Sequence, residues 1–252
     1  MLTHESQSDA LHKKASHDVE NWIANGERPL AWSDADYPRQ LREVHDFPPV
    51  IFVRGALLES DHGVCVVGSR NAGRSALTAM RQISRLIVDA GWSVVSGLAR
   101  GIDTAAHSEA LRLGGRTVAV LGAGIDRYYP PENQHLQHML EESGMTLSQF
   151  WPGTSPTQYS FPMRNAVMSA YANATIIVSA EEASGTRHQA KRAAAHGRPL
   201  VVSKAVYENT TWGRKFVDNP SVLARVAYSP EEAVAHAKDM ATFDASSLVA
   251  LS

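Results

Sequence analysis

The sequence predicts an α/β protein: a mostly parallel sheet with helices on both faces. Two observations carry this prediction. Short apolar runs of strand length recur at Val64–Val67, Ser93–Val95, Thr117–Leu121, Thr175–Val178 and Pro199–Val202, with helical segments between them. Glycine-rich turns close three of the runs, at Gly68, at Gly97 to Gly101 and at Gly122 to Gly124. In a doubly wound sheet such turns lie beyond the carboxyl ends of the strands, where ligands bind.

Taken in order, the first 30 residues are polar, and Val19, Trp22 and Ile23 at helical spacing predict an amphipathic helix over Ser8 to Asn25, ended by Gly26 and Pro29. A short helix near Arg39–Val44 follows, then Pro48-Pro49 and an edge strand at Val50–Arg54. After the Val64–Val67 strand, Ser75–Ala90 reads as a helix with Ala76, Met80, Ile83 and Ile87 on one face and Arg74, Arg81 and Arg85 on another. Asp103 is a favourable N-cap for a helix over Thr104–Leu113, which Gly114-Gly115 stops. Further helices are expected over Asn133–Ser143, Arg164–Ala172 and Arg187–His196, with a short strand at Thr146–Phe150. Ser229-Pro230 opens a last helix reaching about Met240. The chain thus divides into an N-terminal helical extension (1–36), a core domain (37–228) and a C-terminal helix and tail (229–252).

Composition narrows the function classes. The 252 residues suffice for one substantial core, and 44% hydrophobic with 20% charged residues is ordinary for a globular chain. The net charge of −2 gives no global signature of nucleic-acid binding, so any such site is a local patch. The single cysteine, Cys65, leaves no internal disulfide and no cysteine zinc cluster. No apolar run reaches membrane-spanning length and the start is too polar for a signal peptide, so a cytoplasmic location is expected, with no membrane partner.

The turns carry the chemistry. Exposed amides at Ser96, Gly97, Arg100 and Gly101, with the charge of Arg100, suit an anion. At Gly68-Ser69-Arg70-Asn71-Ala72-Gly73 the middle glycine of a dinucleotide fingerprint is replaced by Arg70, which argues against such a cofactor and suits an isolated phosphate or a DNA backbone. The other reading of Arg70 is a structural ion pair. Arg70 and Arg100 are placed to share one anion. His107 lies one helical turn after Asp103, so the pair forms either a polar contact in the pocket or a hydrogen bond that fixes the helix start. Tyr129, following the Gly122 turn, either stacks on a base or packs its own loop. Ser184-Gly185-Thr186 precedes a helix bearing Arg187 and Lys191, which is either a second anion-facing helix start or a solvated basic stripe.

Several separate motifs resemble the DprA/Smf family of bacterial DNA-processing proteins across residues 37–217. They are Tyr37-Pro38-Arg39-Gln40-Leu41, Pro48 to Gly55, Val66-Val67-Gly68-Ser69-Arg70, Val94 to His107, Val118 to Asp126, Tyr129-Pro130-Pro131-Glu132-Asn133 and, as weaker echoes, Phe161-Pro162-Met163-Arg164-Asn165 and Ser184-Gly185-Thr186. The resemblance implies an extended Rossmann-like domain over 37–228 that binds single-stranded DNA without catalysis, forms a homodimer and helps load the RecA recombinase. It adds Arg164 and Asn165 to the candidate phosphate contacts. No cofactor or metal is expected. The chain departs from the family pattern at Ala166, Ser179, Ser203-Lys204 and Ser148-Gln149. That drift, together with the short flanks, opens a second expectation, a DprA-like antitoxin that restrains a partner toxin in phage defence. A third is a nucleotide sensor. Hydrolysis is disfavoured because Gln189 stands where related phosphoribohydrolases carry a catalytic glutamate.

Overall fold

The computed structural model describes residues 4–242. Its central strands are β3 (Gly63–Val67), β4 (Ser93–Ser96), β5 (Thr117–Val120), β6 (Met145–Ser148), β7 (Ala174–Ile177), β8 (Leu200–Ser203) and β9 (Ala224–Ala227). All pair in parallel, whereas β2 (Val50–Gly55) runs antiparallel to β6, and β1 (Arg28–Ala31) antiparallel to β2. The sheet order is β1-β2-β6-β5-β4-β3-β7-β8-β9. The chain therefore walks outward from β3 to β6, returns to β7 on the other side of β3, and walks out again. Such a reversal opens a crevice at the strand ends.

Both faces of the sheet are buried, as a parallel sheet requires. Successive side chains point to opposite faces. Val64, Val66, Val94 and Ile176 face α3 (Arg74–Asp89), α4 (Ile102–Arg112) and α10 (Pro230–Thr242), meeting Met80, Ile83, Ala106 and Ala237. Cys65, Val67, Val95 and Ile177 face α6 (Ser160–Tyr171) and α7 (Thr186–Ala195), meeting Val167, Tyr171, Ala190 and Ala193. A third cluster joins Phe52, Leu98, Leu121 and Ile125 to Leu136 and Leu140 of α5 (Gln134–Ser143).

The structure departs from the sequence reading at several elements. Arg28–Ala31 forms the edge strand β1, where Pro29 sits without breaking a central ladder. The first helix, α1 (His4–Ala24), touches the body mainly through Trp22, whose ring packs 5.1 Å from Phe52 and 5.2 Å from Trp151, while Val19 and Ile23 stay exposed. The α6 helix begins four residues earlier than expected, because Pro162 is tolerated in a first turn. Two short helices, α8 (Lys204–Asn209) and α9 (Thr211–Val217), and strand β9 occupy a stretch with little periodicity. Among the described residues no helix is long and apolar enough to cross a membrane.

Candidate functional site

Two adjoining cavities open at the carboxyl ends of the central strands. The larger, about 470 Å³, lies between the turn after β3 and the loop after β7, at the reversal of strand order. Gly68, Ser69, Arg70, Asn165, Ser184 and Gly185 line it. The smaller, about 110 Å³, lies between the turns after β4 and β5 and is lined by Gly97, Arg100, Gly122, Arg127 and Tyr129. Arg70, Ala99, Phe161 and Arg164 line both, so the two form one crevice. At their junction the exposed Arg70 guanidinium stands 5.6 Å from the centre of the Phe161 ring, and that ring lies 5.6 Å from Tyr129.

The turn from Ser96 to Asp103 is built differently from the expectation. Helix α4 starts at Ile102 with Gly101 as its cap residue, so Asp103 is not the N-cap. Its buried carboxylate instead reaches back and accepts from the Gly97 and Ala99 amides at 3.2 and 3.3 Å. Those amides are already satisfied, and they are not anion donors. Burial raises the Asp103 carboxyl above its ordinary value, while the neighbouring Arg164 guanidinium and the two amides pull it back. Leu98, fully buried, carries a positive φ of 57°, a strained conformation held by its packing and by Asn133, whose Nδ2 donates to the Leu98 carbonyl at 2.9 Å. Gly101, at φ 76°, lies where a Cβ would meet the Ser69 and Arg70 carbonyls. Gly97 is needed for a different reason: the Arg164 guanidinium fills the place of its missing Cβ.

Arg164 is a clamp inside the crevice wall. Its Nη1 donates to the Gly97 carbonyl and, at 3.1 Å, to the Val120 carbonyl, joining the ends of β4 and β5. Nε donates to Asn165 Oδ1 at 3.0 Å. Only 6% of the residue is exposed. Ser96 is likewise spent internally, donating to the Val66 carbonyl at 2.7 Å in full burial. His107 does not bond Asp103; its Nδ1 pairs with Thr117 Oγ1 at 2.7 Å, and burial lowers its pKa to about 3, so the ring is neutral. At the α7 start, the Thr186, Arg187 and His188 amides bond Ser184 Oγ, the Ser184 carbonyl and the Gly185 carbonyl, so this helix start too is internally satisfied. Arg187 and Lys191 are exposed on α7 but line neither cavity. Arg100 is exposed and pairs with Glu132, whose carboxyl it holds below the usual range. The amides of Gly97, Ala99 and Thr186 to His188 are thus spent internally, and the exposed guanidiniums of Arg70 and Arg100 bring positive charge to the crevice.

Residues outside the candidate phosphate contacts also line the crevice. Phe161, Gln158, Asn71, His188 and Gln189 face the larger cavity, and Arg127 the smaller. Phe161 carried a legible signal, since it opens the Phe-Pro-Met-Arg-Asn motif three residues before Arg164. Ser179, one of the departures, accepts at 3.2 Å from the Ser69 amide and steadies the first turn. Gln189 is buried, its Nε2 3.7 Å from Cys65 Sγ.

Known proteins resemble this chain in sequence and in fold. The model of a family described as DNA recombination-mediator protein A matches residues 28–232. Protein Smf of Synechocystis sp. is 40% identical over 172 residues, 65% of this chain and 42% of the relative. The chain spans about half the length of the curated relatives it matches. The X-ray structure of DNA processing protein A from Streptococcus pneumoniae superposes with a TM-score of 0.73 at 31% identity, covering 82% of this chain and 73% of that one. DNA processing protein A from Helicobacter pylori, described for its single-stranded DNA binding mode, also gives 0.73, at 22% identity and covering 85% and 97%; that likeness concerns the fold alone.

Proposed function

This chain belongs to the DNA recombination-mediator protein A family, and from that premise we propose that it binds single-stranded DNA in the crevice at the carboxyl ends of β3, β4, β5 and β7, without catalysis. The observation that carries the reading is the row of Arg70, Phe161 and Tyr129 at the junction of the two cavities. A guanidinium beside two rings, with Tyr129 43% exposed, is what a flexible strand needs: a cation for phosphate and π-faces for unpaired bases. Arg70 and Arg100 supply the phosphate contacts, Asn165 and Ser184 polar ones, and Gly68 and Gly122 the room. Gly122 matters because a Cβ there would press on the Phe161 ring at 3.0 Å. Arg164 acts through position: it fixes the turn that presents Arg100. Gln189 cannot ionise and His107 is sealed in the core, which supports a binding role over a hydrolytic one.

Fluorescence anisotropy with a labelled oligothymidine tests the site. Phe161→Ala removes a stacking platform worth roughly 1–3 kcal/mol per base, so a loss near tenfold is expected. Arg70→Ala combined with Arg100→Ala lowers affinity further and flattens its salt dependence by about 0.7 for each phosphate no longer neutralised. Unchanged affinity in the arginine double variant would show that the crevice is not the site. The family description supports a further step, delivery of the bound strand to a recombinase of the RecA type. Acceleration of recombinase filament growth on a protein-coated strand is its readout, and light scattering of the free chain decides whether it works as a homodimer.

A further inference from the structure

The arginine stripe of α3 is not used by the crevice. Arg74, Arg81 and Arg85 are spaced by seven and four residues, which returns them to one side of the helix, and all three are exposed. Arg112 faces them from the last turn of α4. Between the two helices lie two open cavities. One, about 530 Å³, is lined by Arg81, Arg100 and Arg112; the other, about 770 Å³, by Arg81, Arg85 and Arg112. Arg100 also lines the smaller cavity of the crevice. Shared residues thus join crevice and groove into one path: Arg100 links the crevice to the groove, and Arg81 and Arg112 link its two halves.

We propose that this α3/α4 groove carries the phosphate backbone of the same single strand beyond the crevice; the proposal rests on the crevice reading. The guanidiniums are pre-set for it. Glu109, its side chain only 10% exposed, accepts from Arg112 Nη2 at 2.6 Å and Nε at 2.9 Å, and lies 4.0 Å from Arg85 Nη2. Arg112, and then Arg85 and Arg81, hold its carboxyl below the usual range, so it stays ionised and keeps the cluster in place. One sunken carboxylate among three guanidiniums leaves excess positive charge and outward N–H groups, with Glu132 and Glu231 at the rims. A protein partner fits this surface less well. Among the described residues none of the large exposed apolar side chains lies on α3 or α4, so an interface here would lack an anchor. The phosphates run along the helices, and the contacts carry no sequence information.

Oligothymidines of about 6 and about 30 nucleotides separate crevice from groove, because only the longer can span both. Arg81→Glu with Arg85→Glu is expected to weaken the long oligonucleotide about tenfold or more. Its salt slope becomes shallower by about 1.4, for two phosphates at about 0.7 each. The short oligonucleotide keeps its wild-type affinity, which also reports an intact fold. Arg81→Lys with Arg85→Lys keeps the slope. The groove assignment is overturned if the long oligonucleotide is unaffected, the result expected of a surface for an acidic protein, or if short and long weaken equally. Arg70→Ala run alongside tests the crevice by itself: if it leaves the short oligonucleotide unchanged, the crevice reading fails, whatever the α3 variants do.

Discussion

At the scale of single residues, Arg164 and Arg70 show why residue type alone does not assign a role. Both are arginines in motif positions, yet Arg164 is buried against the Gly97 and Val120 carbonyls and Arg70 is exposed beside Phe161. Arg164→Met leaves Asp103 without its buried countercharge and is expected to cost about 3 kcal/mol, read by urea unfolding. Arg70→Ala should leave unfolding unchanged and act only on binding. Gly97→Ala forces a methyl into the Arg164 guanidinium and is expected to cost about 1–3 kcal/mol, read by the same titration. His107 gives the chain a pH dependence of defined sign. Its folded pKa, about 3, lies below its unfolded value. Between the two the unfolded chain binds the extra proton, so stability falls as pH drops below about 6.5, by about 2 kcal/mol at pH 5. His107→Gln should remove that part of the pH dependence, and an identical slope in the variant would refute the assignment.

Among the elements, most strands and helices of the core were legible because their buried faces impose a period. The stretch after β8 was not. Lys204–Val217 breaks into two helices at Thr210, whose Oγ1 accepts from the Gly213 amide at 3.0 Å and donates to the Val206 carbonyl at 2.8 Å. Neither helix is long enough to show periodicity, and β9, Ala-Arg-Val-Ala, is a four-residue edge strand with Arg225 exposed in its middle, too short to show an alternation. Thr210→Ala removes the cap and both bonds and is expected to cost about 1–2 kcal/mol, measured as a lower urea midpoint. The start of α4 differs from the sequence expectation for a tertiary reason. Asp103 fits an N-cap locally, but the tertiary turn requires its carboxylate to satisfy two amides of the preceding loop.

For the whole molecule, the crevice exists because the sheet order reverses beside β3. Turns distant in sequence, after β3, β4, β5 and β7, converge there, and helix α6 inserts Phe161 and Arg164 between them. On the proposed reading, the Phe161 and Tyr129 faces at the junction of the crevice select unpaired bases. Competition with unlabelled duplex should therefore be at least about tenfold weaker than with single strand, since stacking of about 1–3 kcal/mol per base is available only to the latter. Equal competition would mean that the aromatic faces take no part. The α/β class, the parallel core, the family and most turns of the crevice are legible in the amino-acid order, because periodicity and glycine positions are local constraints. Which cations face the crevice is set by the tertiary structure. Burial and hydrogen bonding consume Ser96, Arg164 and the amides of Gly97 and Thr186, leave Arg187 and Lys191 on an outer surface, and bring Phe161 to Arg70. The contacts of Ser96, Arg164 and Phe161 are long-range, and no spacing along the chain encodes them.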